Sequence, residues 1–220
     1  MKLQIAIDNA SADTILDTVD KIADIIDIVE VGTPMIIRDG QRAVRLVKEK
    51  YPELTVLSDS KIVDGGGLEC GYAVDAGADI VTVLAMAADE TISDVIDTAH
   101  KAGRKAMADL IGIADIRKRA KELQELGIDY ICVHTAFDVQ KKGRTPLGDL
   151  KELVQAVPAG MCAVAGGVNL QTIDAYVSLG PAIIIAGGAL YNVPDVRQAV
   201  LDMKAKMLTL GLNGLLEPRS

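Results

Sequence analysis

Eight short apolar runs recur along the chain, and each is followed by an amphipathic segment. The runs are near-continuous in Ile, Val, Leu and Ala, as expected for parallel strands that are covered on both faces. Strands are predicted at Leu3–Ile7, Ile26–Val31, Thr55–Leu57, Ile80–Leu84, Lys105–Leu110, Tyr130–Val133, Met161–Ala165 and Ala182–Ala186. Helices are predicted at Ala12–Ala23, Gln41–Lys48, Leu68–Ala76, Thr91–Ala102, Ile113–Leu126, Gly148–Ala156, Leu170–Ser178 and Val193–Leu208.

Eight strand–helix units predict an α/β fold, a (β/α)8 TIM barrel formed by residues 1–210 as a single domain. Residues 211–220 are predicted to be a poorly ordered tail. The rival fold is a doubly wound open sheet, which would need fewer strands and a glycine-rich turn after its first strand. Here the glycine pairs follow the last two strands, where barrels commonly bind phosphate. The turns Ala76–Asp79 and Leu126–Asp129 are predicted to be one helix-to-strand connection used twice.

Composition and charge narrow the class of protein. Half of the 220 residues are hydrophobic and only 3% are aromatic, so the core must be built from small aliphatic side chains. A net charge of −8 argues against a nucleic-acid surface, although backbone N–H groups can still hold a phosphate. No apolar stretch approaches the roughly 20 residues of a membrane span, and no signal peptide is apparent. The three cysteines, Cys70, Cys132 and Cys162, lack metal-site spacing and predict reduced thiols in a cytoplasmic protein.

Carboxylates stand at the ends of several predicted strands. Asp8, Glu30 and Asp109 each follow or end an apolar run, and Asp59 lies just beyond the third. The carboxyl ends of barrel strands converge on one face, so these side chains are predicted to form one hard-oxygen cluster. Such a cluster would repel itself without a cation, and Mg²⁺ is the natural guest.

The stretch Asp59–Asp64 carries a second candidate feature. Within a strand, Asp59 and Lys61 would point to the same side, and a lysine among carboxylates could stabilise an oxyanion or move a proton. The alternative is an ordinary surface salt bridge. The glycines at 65–67 favour a functional site, because they give the backbone freedom beside the motif.

Two glycine pairs predict a phosphate site. Gly166 and Gly167 follow the seventh run, and Gly187 and Gly188 follow the eighth. Glycine lets the backbone approach a ligand closely, and N–H groups at a helix start favour an anion. The alternative is two tight turns with no ligand.

His134 ends the sixth apolar run. A lone histidine there is often structural, but at the common strand-end face it could abstract a proton near neutral pH.

These motifs together resemble the orotidine-5′-phosphate decarboxylase suprafamily, which carries D-x-K-x-x-D at the end of its third barrel strand. The resemblance covers roughly residues 1–210 and is greatest to the branch that condenses formaldehyde with a phosphosugar. A sister branch decarboxylates 3-keto-L-gulonate 6-phosphate. The matching stretches are Val29–Pro34, Asp59–Gly66, Ala76–Asp79, His134-Thr135 with Asp138, Gln140 and Gly143-Arg144, Ala165–Gly167 and Leu179–Pro181.

The resemblance implies a role for each charged residue. Mg²⁺ would be held by Glu30 and Asp59, and His134 would transfer a proton. Lys61 would stabilise an enediolate, with Asp8 and Asp109 orienting Lys61 and the substrate hydroxyls. Asp64 would reach into the neighbouring subunit's site, which implies a homodimer with shared active sites.

The implied reaction is a Mg²⁺-dependent aldol condensation of formaldehyde with D-ribulose 5-phosphate, giving 3-hexulose 6-phosphate through a 1,2-enediolate. The decarboxylating branch has arginines at positions that are Phe137 and Gly188 here, so their absence favours condensation. Decarboxylation and a non-catalytic phosphosugar-binding protein remain the alternatives. The resemblance implies no nucleic-acid partner and no membrane.

Overall fold

The computed structural model describes the backbone of residues 1–216 and the side chains of residues 1–210. Its strands are β1 (Lys2–Ile7), β2 (Ile28–Val31), β3 (Thr55–Ile62), β4 (Ile80–Leu84), β5 (Lys105–Asp109), β6 (Tyr130–His134), β7 (Cys162–Ala165) and β8 (Ile183–Ala186). All neighbouring strands are parallel, and they close into a barrel in chain order, with β1 paired to both β2 and β8. The predicted (β/α)8 fold is confirmed.

Helices connect the strands on the outside of the barrel. They are α1 (Ile15–Val19), α2 (Thr33–Asp39), α3 (Arg42–Lys50), α4 (Gly66–Asp75), α5 (Asp89–Lys101), α6 (Ile116–Leu126), α7 (Phe137–Gln140), α8 (Leu147–Ala156), α9 (Ile173–Val177), α10 (Gly188–Tyr191) and α11 (Val196–Leu216). The sequence pattern missed α2, α7 and α10, which have seven, four and four residues and begin within three residues of a strand end, so each shows the apolar repeat over two turns at most. None of the helices within the described part of the chain has the length and apolar character that crossing a membrane requires.

The last helix is longer than predicted. It runs to Leu216, past its predicted end at Leu208 and into residues 211–220, for which a poorly ordered tail stays a prediction. Gly211 and Gly214 each weaken a helix by about 1 kcal/mol relative to alanine, which does not by itself end one. Residues 217–220 lie outside the described part of the chain.

Two apolar layers build the core. The outward faces of the strands pack against the helices in one large cluster. A smaller cluster fills the barrel interior with side chains from seven of the eight strands: Ile28, Leu57, Ile80, Met107, Cys132, Ala163, Ala165, Ile183 and Ile185. This plug fills the barrel below the polar side chains at the carboxyl end of the strands.

At the opposite end of the barrel, three aspartates each hydrogen-bond a pair of neighbouring strands together, and we call these contacts aspartate clips. Each precedes an even-numbered strand by one residue and accepts a hydrogen bond from a backbone N–H near the start of the preceding strand. The pairs are Asp27 with Leu3 (2.8 Å), Asp79 with Val56 (2.9 Å) and Asp129 with Ala106 (2.9 Å). The repeated turns before Asp79 and Asp129 are therefore the same connection, as predicted.

Candidate active site

The carboxyl ends of the strands surround a cavity of about 730 Å³. Ten of the eleven predicted site residues line it: Asp8, Glu30, Asp59, Lys61, Asp109, His134, Gly166, Gly167, Gly187 and Gly188. A shallower depression of about 530 Å³ lies at the opposite end of the barrel, near Lys2 and Lys50. The chemistry predicted from the sequence therefore belongs to the first cavity.

A bulge in β3 brings the charged residues of the motif into the cavity. Ser58 pairs with Val81 and Ile62 pairs with Val83, so β3 places three residues opposite Thr82 alone. Among the described residues, Lys61 is the one non-glycine residue with positive φ, at 46°. Such a conformation costs about 1–3 kcal/mol and persists only where neighbouring contacts hold it.

Thr82 supplies those contacts through one hydroxyl group. Its Oγ1 accepts a hydrogen bond from the Lys61 backbone N–H at 2.9 Å, and it donates to Asp59 Oδ1 at 2.9 Å. Because Thr82 is buried, water does not replace these hydrogen bonds, and breaking either one leaves a buried polar group unpaired. A single side chain thus fixes both the strained backbone and the neighbouring carboxylate.

The Asp59 carboxylate accepts three hydrogen bonds from other side chains. Its Oδ2 accepts hydrogen bonds from the Thr33 hydroxyl at 2.6 Å and from Lys61 Nζ at 2.5 Å, while Oδ1 receives Thr82. A carboxylate offers about four lone-pair positions, so one remains on Oδ1. Although burial opposes ionisation, the Lys61 ammonium group holds the pKa of Asp59 below its usual value.

Lys61 is held as a cation between two carboxylates. Its Nζ also donates to Thr33 Oγ1 at 3.0 Å and lies 3.7 Å from Asp109 Oδ2. Burial alone would lower its pKa, but Asp59 and Asp109 together raise it above the usual lysine value. A lysine in this state acts as a fixed positive charge rather than as a nucleophile.

Asp109 and His134 form a second pair across β5 and β6. His134 Nδ1 lies 2.9 Å from Asp109 Oδ2, and Asp109 Oδ1 accepts the Ile111 backbone N–H at 2.8 Å. Because a carboxylate accepts hydrogen bonds, Nδ1 is the protonated nitrogen and Nε2 is left as the acceptor of the ring. The arrangement suits a general base that is oriented from behind by a carboxylate.

Glu30 and Gln4 form a buried pair at the floor of the cavity. Gln4 Nε2 donates to Glu30 Oε2 at 2.5 Å, and neither residue is more than 8% exposed. Burial and the nearby Asp59 charge raise the pKa of Glu30 well above its usual value. Gln4 Oε1 is buried and accepts no hydrogen bond from any described residue.

Asp8 lies against the chain at the end of β2. A Cβ atom at Gly32 would come within 2.0 Å of Asp8 Oδ1, so only glycine allows this approach. Burial raises the pKa of Asp8, and the Asp59 charge adds to the shift.

The first glycine turn is built against the loop that follows β6. A Cβ atom at Gly166, where φ is 104°, would lie 2.5 Å from the carbonyl oxygen of Thr135. Gln140 Nε2 donates to that same carbonyl oxygen at 2.8 Å. Asn169 Oδ1 then accepts the backbone N–H groups at 171 and 172. The turn is thus held from both sides, with its glycine backbone at the cavity wall.

The second glycine turn and an exposed aromatic ring complete the cavity wall. Gly188 opens α10 and packs so closely that a Cβ atom would lie 2.9 Å from Asn192 Nδ2. Phe137 is 72% exposed, and Lys141 Nζ lies 4.8 Å from the centre of its ring. Positions 137 and 188 therefore present an apolar ring and a bare backbone to the cavity.

The four carboxylates predicted to converge share the cavity but do not form a single group of metal ligands. Asp8, Glu30, Asp59 and Asp109 all line the cavity, but no three acidic, histidine or cysteine side chains within the described residues group closely enough to hold a metal ion. Asp109 is carried by β5, across the barrel from β1 and β2, and its oxygens bond to His134 and the backbone instead.

Asp64 lies outside the cavity of its own chain. It is exposed beyond the end of β3, where its Oδ1 accepts the Gly65 backbone N–H at 2.8 Å. The role predicted for it in a neighbouring subunit's site stays a prediction.

Gln4, Thr33 and Thr82 belong to the site although the sequence analysis did not select them. Gln4 and Thr82 stand singly inside apolar strands, and Thr33 follows the Glu30 strand. A lone polar residue in an apolar run is a usable signal, because burying it requires a partner.

A closed (β/α)8 barrel with buried charges and two glycine turns at the carboxyl end of its strands has the construction of an enzyme. Residues 1–203 match the Orotidine 5'-phosphate decarboxylase / HUMPS family. The chain belongs to this family, and the predicted resemblance is confirmed.

Named relatives cover nearly the whole chain. The 3-hexulose-6-phosphate synthase of Bacillus subtilis (strain 168) is 40% identical over 204 residues, which are 93% of this chain and 97% of that protein. The 3-hexulose-6-phosphate synthase 2 of Staphylococcus saprophyticus is 41% identical over 199 residues, 90% and 93% of the two chains. Similarity of this extent makes the chain a lyase-type enzyme of the family.

Solved structures agree with this assignment. The crystal structure of 3-hexulose-6-phosphate synthase from Salmonella typhimurium superimposes with a TM-score of 0.92 at 40% identity, covering 96% of this chain and 100% of that chain. A crystal structure of KGPDC from Streptococcus mutans has a TM-score of 0.88 at 20% identity, covering 95% and 98% of the two chains. At that identity the second likeness shows the fold alone.

Proposed function

We propose that this enzyme joins formaldehyde to D-ribulose 5-phosphate and releases 3-hexulose 6-phosphate, through a 1,2-enediolate. The observation that carries the proposal is the connected row of Lys61, Asp109 and His134 at the cavity. It supplies a base and a fixed positive charge side by side, in a chain about 40% identical to named 3-hexulose-6-phosphate synthases.

His134 is the base in this proposal. Its Nε2 removes a proton from C1 of the ketose, and the imidazolium that forms is stabilised by Asp109 at 2.9 Å from Nδ1. The C1 carbon of the enediolate then attacks formaldehyde, and the alkoxide that forms takes up the proton held by the His134 imidazolium. The new C–C bond uses the electron pair released by deprotonation, so no oxidant or reductant is needed.

Lys61 stabilises the negative charge of the enediolate. Its raised pKa keeps the ammonium group protonated. A protonated lysine can neutralise an oxyanion but cannot form an imine, which supports an aldol reaction without a Schiff base.

The donor set fits Mg²⁺. Glu30 and Asp59 are buried carboxylates at the cavity, and the carbonyl oxygen of the neighbouring Gln4 side chain is buried without a partner. Mg²⁺ commonly binds through one or two carboxylates and completes its shell with water and substrate oxygens. Held by Glu30 and Asp59, Mg²⁺ would supply a Lewis acid toward the ketose oxygens.

The two glycine turns are the proposed phosphate site. Gly166, Gly167, Gly187 and Gly188 line one wall of the cavity, and the turns follow adjacent strands. Backbone N–H groups in such turns hold a phosphate without requiring a cationic side chain.

The proposed assembly is a homodimer in which Asp64 completes the partner's site. Its exposure and its position outside its own cavity support this role. Exposed apolar side chains lie close by in sequence, at Val63, Leu68 and Tyr72. The three free, buried cysteines support a reducing, cytoplasmic setting.

Formaldehyde-dependent consumption of D-ribulose 5-phosphate tests the reaction, measured with Mg²⁺ and again with excess EDTA. CO₂ release from 3-keto-L-gulonate 6-phosphate is followed in parallel. Consumption that needs both formaldehyde and Mg²⁺ supports the proposal. CO₂ release without aldol activity would replace it with the decarboxylase, and ligand binding without either reaction would indicate a non-catalytic phosphosugar-binding protein.

Glu30→Gln tests the metal ligands separately. This change keeps the size and the polar contact to Gln4 while removing the charge. We expect the Mg²⁺-dependent activity to fall sharply with an unchanged circular dichroism spectrum. An unaltered Mg²⁺ requirement would exclude Glu30 as a ligand.

A further inference from the structure

Gln4 is a polar side chain in the apolar interior of the barrel. Its exposed fraction is 0%, and its partners in the strand register are Ile28 on β2 and Ile185 on β8, two members of the interior cluster. It is also part of the cavity lining, below Ala6 and Asp8 on the same strand. Its amide therefore forms part of the cavity floor.

Only one end of that amide is paired. Nε2 donates to Glu30, whereas Oε1 is the single buried side-chain nitrogen or oxygen within the described residues that has no hydrogen-bond partner. A buried polar atom left unpaired costs about 1–3 kcal/mol. Methionine or leucine would fill a similar volume without that cost.

We propose that Gln4 is a positioning residue whose two ends serve different partners. Nε2 fixes the Glu30 carboxylate, and Oε1 accepts a hydrogen bond from a ligand O–H at the cavity floor. The O–H belongs either to a water that accompanies the cation or to a hydroxyl group of the phosphosugar. The identity of these ligands rests on the proposed function.

The inference predicts a loss of binding that a change in stability does not explain. Replacing Gln4 by a non-polar residue removes the cost of the unpaired Oε1 but leaves the buried Glu30 carboxylate without its donor, so the two effects on the free energy of unfolding oppose each other. The same change removes the group that orients Glu30 and receives the O–H, so ligand affinity should fall. A purely structural glutamine would leave affinity unchanged on replacement.

Gln4→Met tests this, with Gln4→Leu as a second variant of different shape. Mn²⁺ binding is measured by electron paramagnetic resonance without sugar, and D-ribulose 5-phosphate binding by calorimetry with Mg²⁺ present. We expect one of the two affinities to fall about tenfold, the value of one hydrogen bond. A loss already seen for Mn²⁺ alone assigns the effect to the cation, through Glu30 or through a water bound to the cation, and a loss confined to the sugar assigns the O–H to the phosphosugar.

Ile28→Leu is the matched control, a volume-conserving change beside Gln4 that should leave both affinities unaltered. If the wild-type protein binds both probes and either folded Gln4 variant binds them equally well, the inference about Gln4 is overturned and the proposed function is not. Lower stability with unaltered binding would overturn the inference too. Wild-type protein that binds neither probe would refute the proposed function, and the inference with it.

Discussion

Replacing Thr82 by valine tests whether one hydroxyl group organises the charged centre. Valine has nearly the same shape, so the change removes the hydrogen bonds and little packing. In the variant, Asp59 loses the hydrogen bond donated by the Thr82 hydroxyl, and the Lys61 backbone N–H loses its acceptor. Both partners lie in the bulge of β3, so the effect should be concentrated there.

The expected loss of stability follows from these two bonds. A hydrogen bond to a charged carboxylate contributes about 1.5–3 kcal/mol, and an N–H left buried without an acceptor costs about 1–3 kcal/mol. Relaxation of the left-handed Lys61 backbone returns about 1–2 kcal/mol. We therefore expect Thr82→Val to lower the free energy of unfolding by about 3 kcal/mol, the middle of the range that these contributions give.

Activity should fall further than this loss of stability explains. A catalytic group displaced by about 1 Å can cost a hundredfold in rate, and Lys61 is positioned through this hydroxyl. In formaldehyde-dependent consumption of D-ribulose 5-phosphate, we expect kcat to fall by about 10- to 100-fold and KM to change less. Stability is measured in parallel by urea denaturation.

Two control variants make the result interpretable. Thr82→Ser keeps the hydroxyl and should recover most of the activity and stability. Thr55→Val makes the same chemical change at the other end of β3, and should leave kcat unaltered. The reasoning would be refuted if Thr82→Val kept wild-type kcat, or if Thr82→Ser were as impaired as Thr82→Val.

Three further predictions concern other parts of the chain. Gly166→Ala places a methyl group 2.5 Å from the Thr135 carbonyl oxygen at φ 104°, so we expect about 2–4 kcal/mol of destabilisation and weaker inorganic phosphate binding by calorimetry. Gly143 also has a positive φ, but a Cβ atom there would have nothing within 4 Å, so Gly143→Ala should cost only about 1 kcal/mol of stability. Equal losses of stability in the two variants would contradict the argument. Burial raises the pKa of Cys70 and of Cys162 to about 11. Unfolding therefore releases thiol protons, and the free energy of unfolding should decline as pH rises from about 9 to 11. Urea midpoints that stay level over that range, or thiols that react with Ellman's reagent before unfolding, would contradict this prediction. Asp64→Asn mixed with His134→Ala should form hybrid dimers with one intact site in two, hence about half of wild-type activity per heterodimer if sites are shared, whereas a verified but inactive heterodimer would exclude sharing.

The overall fold could be predicted because the barrel repeats one pattern eight times. Seven predicted strands begin and end within two residues of the observed ones. The exception is β3, predicted to end at Leu57 but continuing to Ile62. Hydrophobic patterning stopped where the polar active-site residues begin, since that part of the strand faces the cavity rather than the core.

The candidate site could be predicted where chemistry coincides with a strand end. Glu30, Asp109 and His134 were selected for that reason, and all three line the cavity. The role of Thr82 depends on its position opposite the bulge, which is set by the register between β3 and β4. That register follows from pairing between distant segments, so inspection of either strand alone does not provide it.

The aspartate clips at the base of the barrel divide the ring of strands into two parts. Clipped pairs span β1 to β6, and these strands or their ends carry all the charged groups that line the cavity wall. The final pair carries both glycine turns, and β8 is preceded by Ala182, whose N–H bonds to the backbone of Ala159 and Cys162. The barrel thus combines a braced arc that carries the charged groups with an arc whose strands are joined by backbone hydrogen bonds. Under the proposed function, sequence changes around β7 and β8 would alter the phosphate end of the site while the charged groups of the braced arc keep their positions.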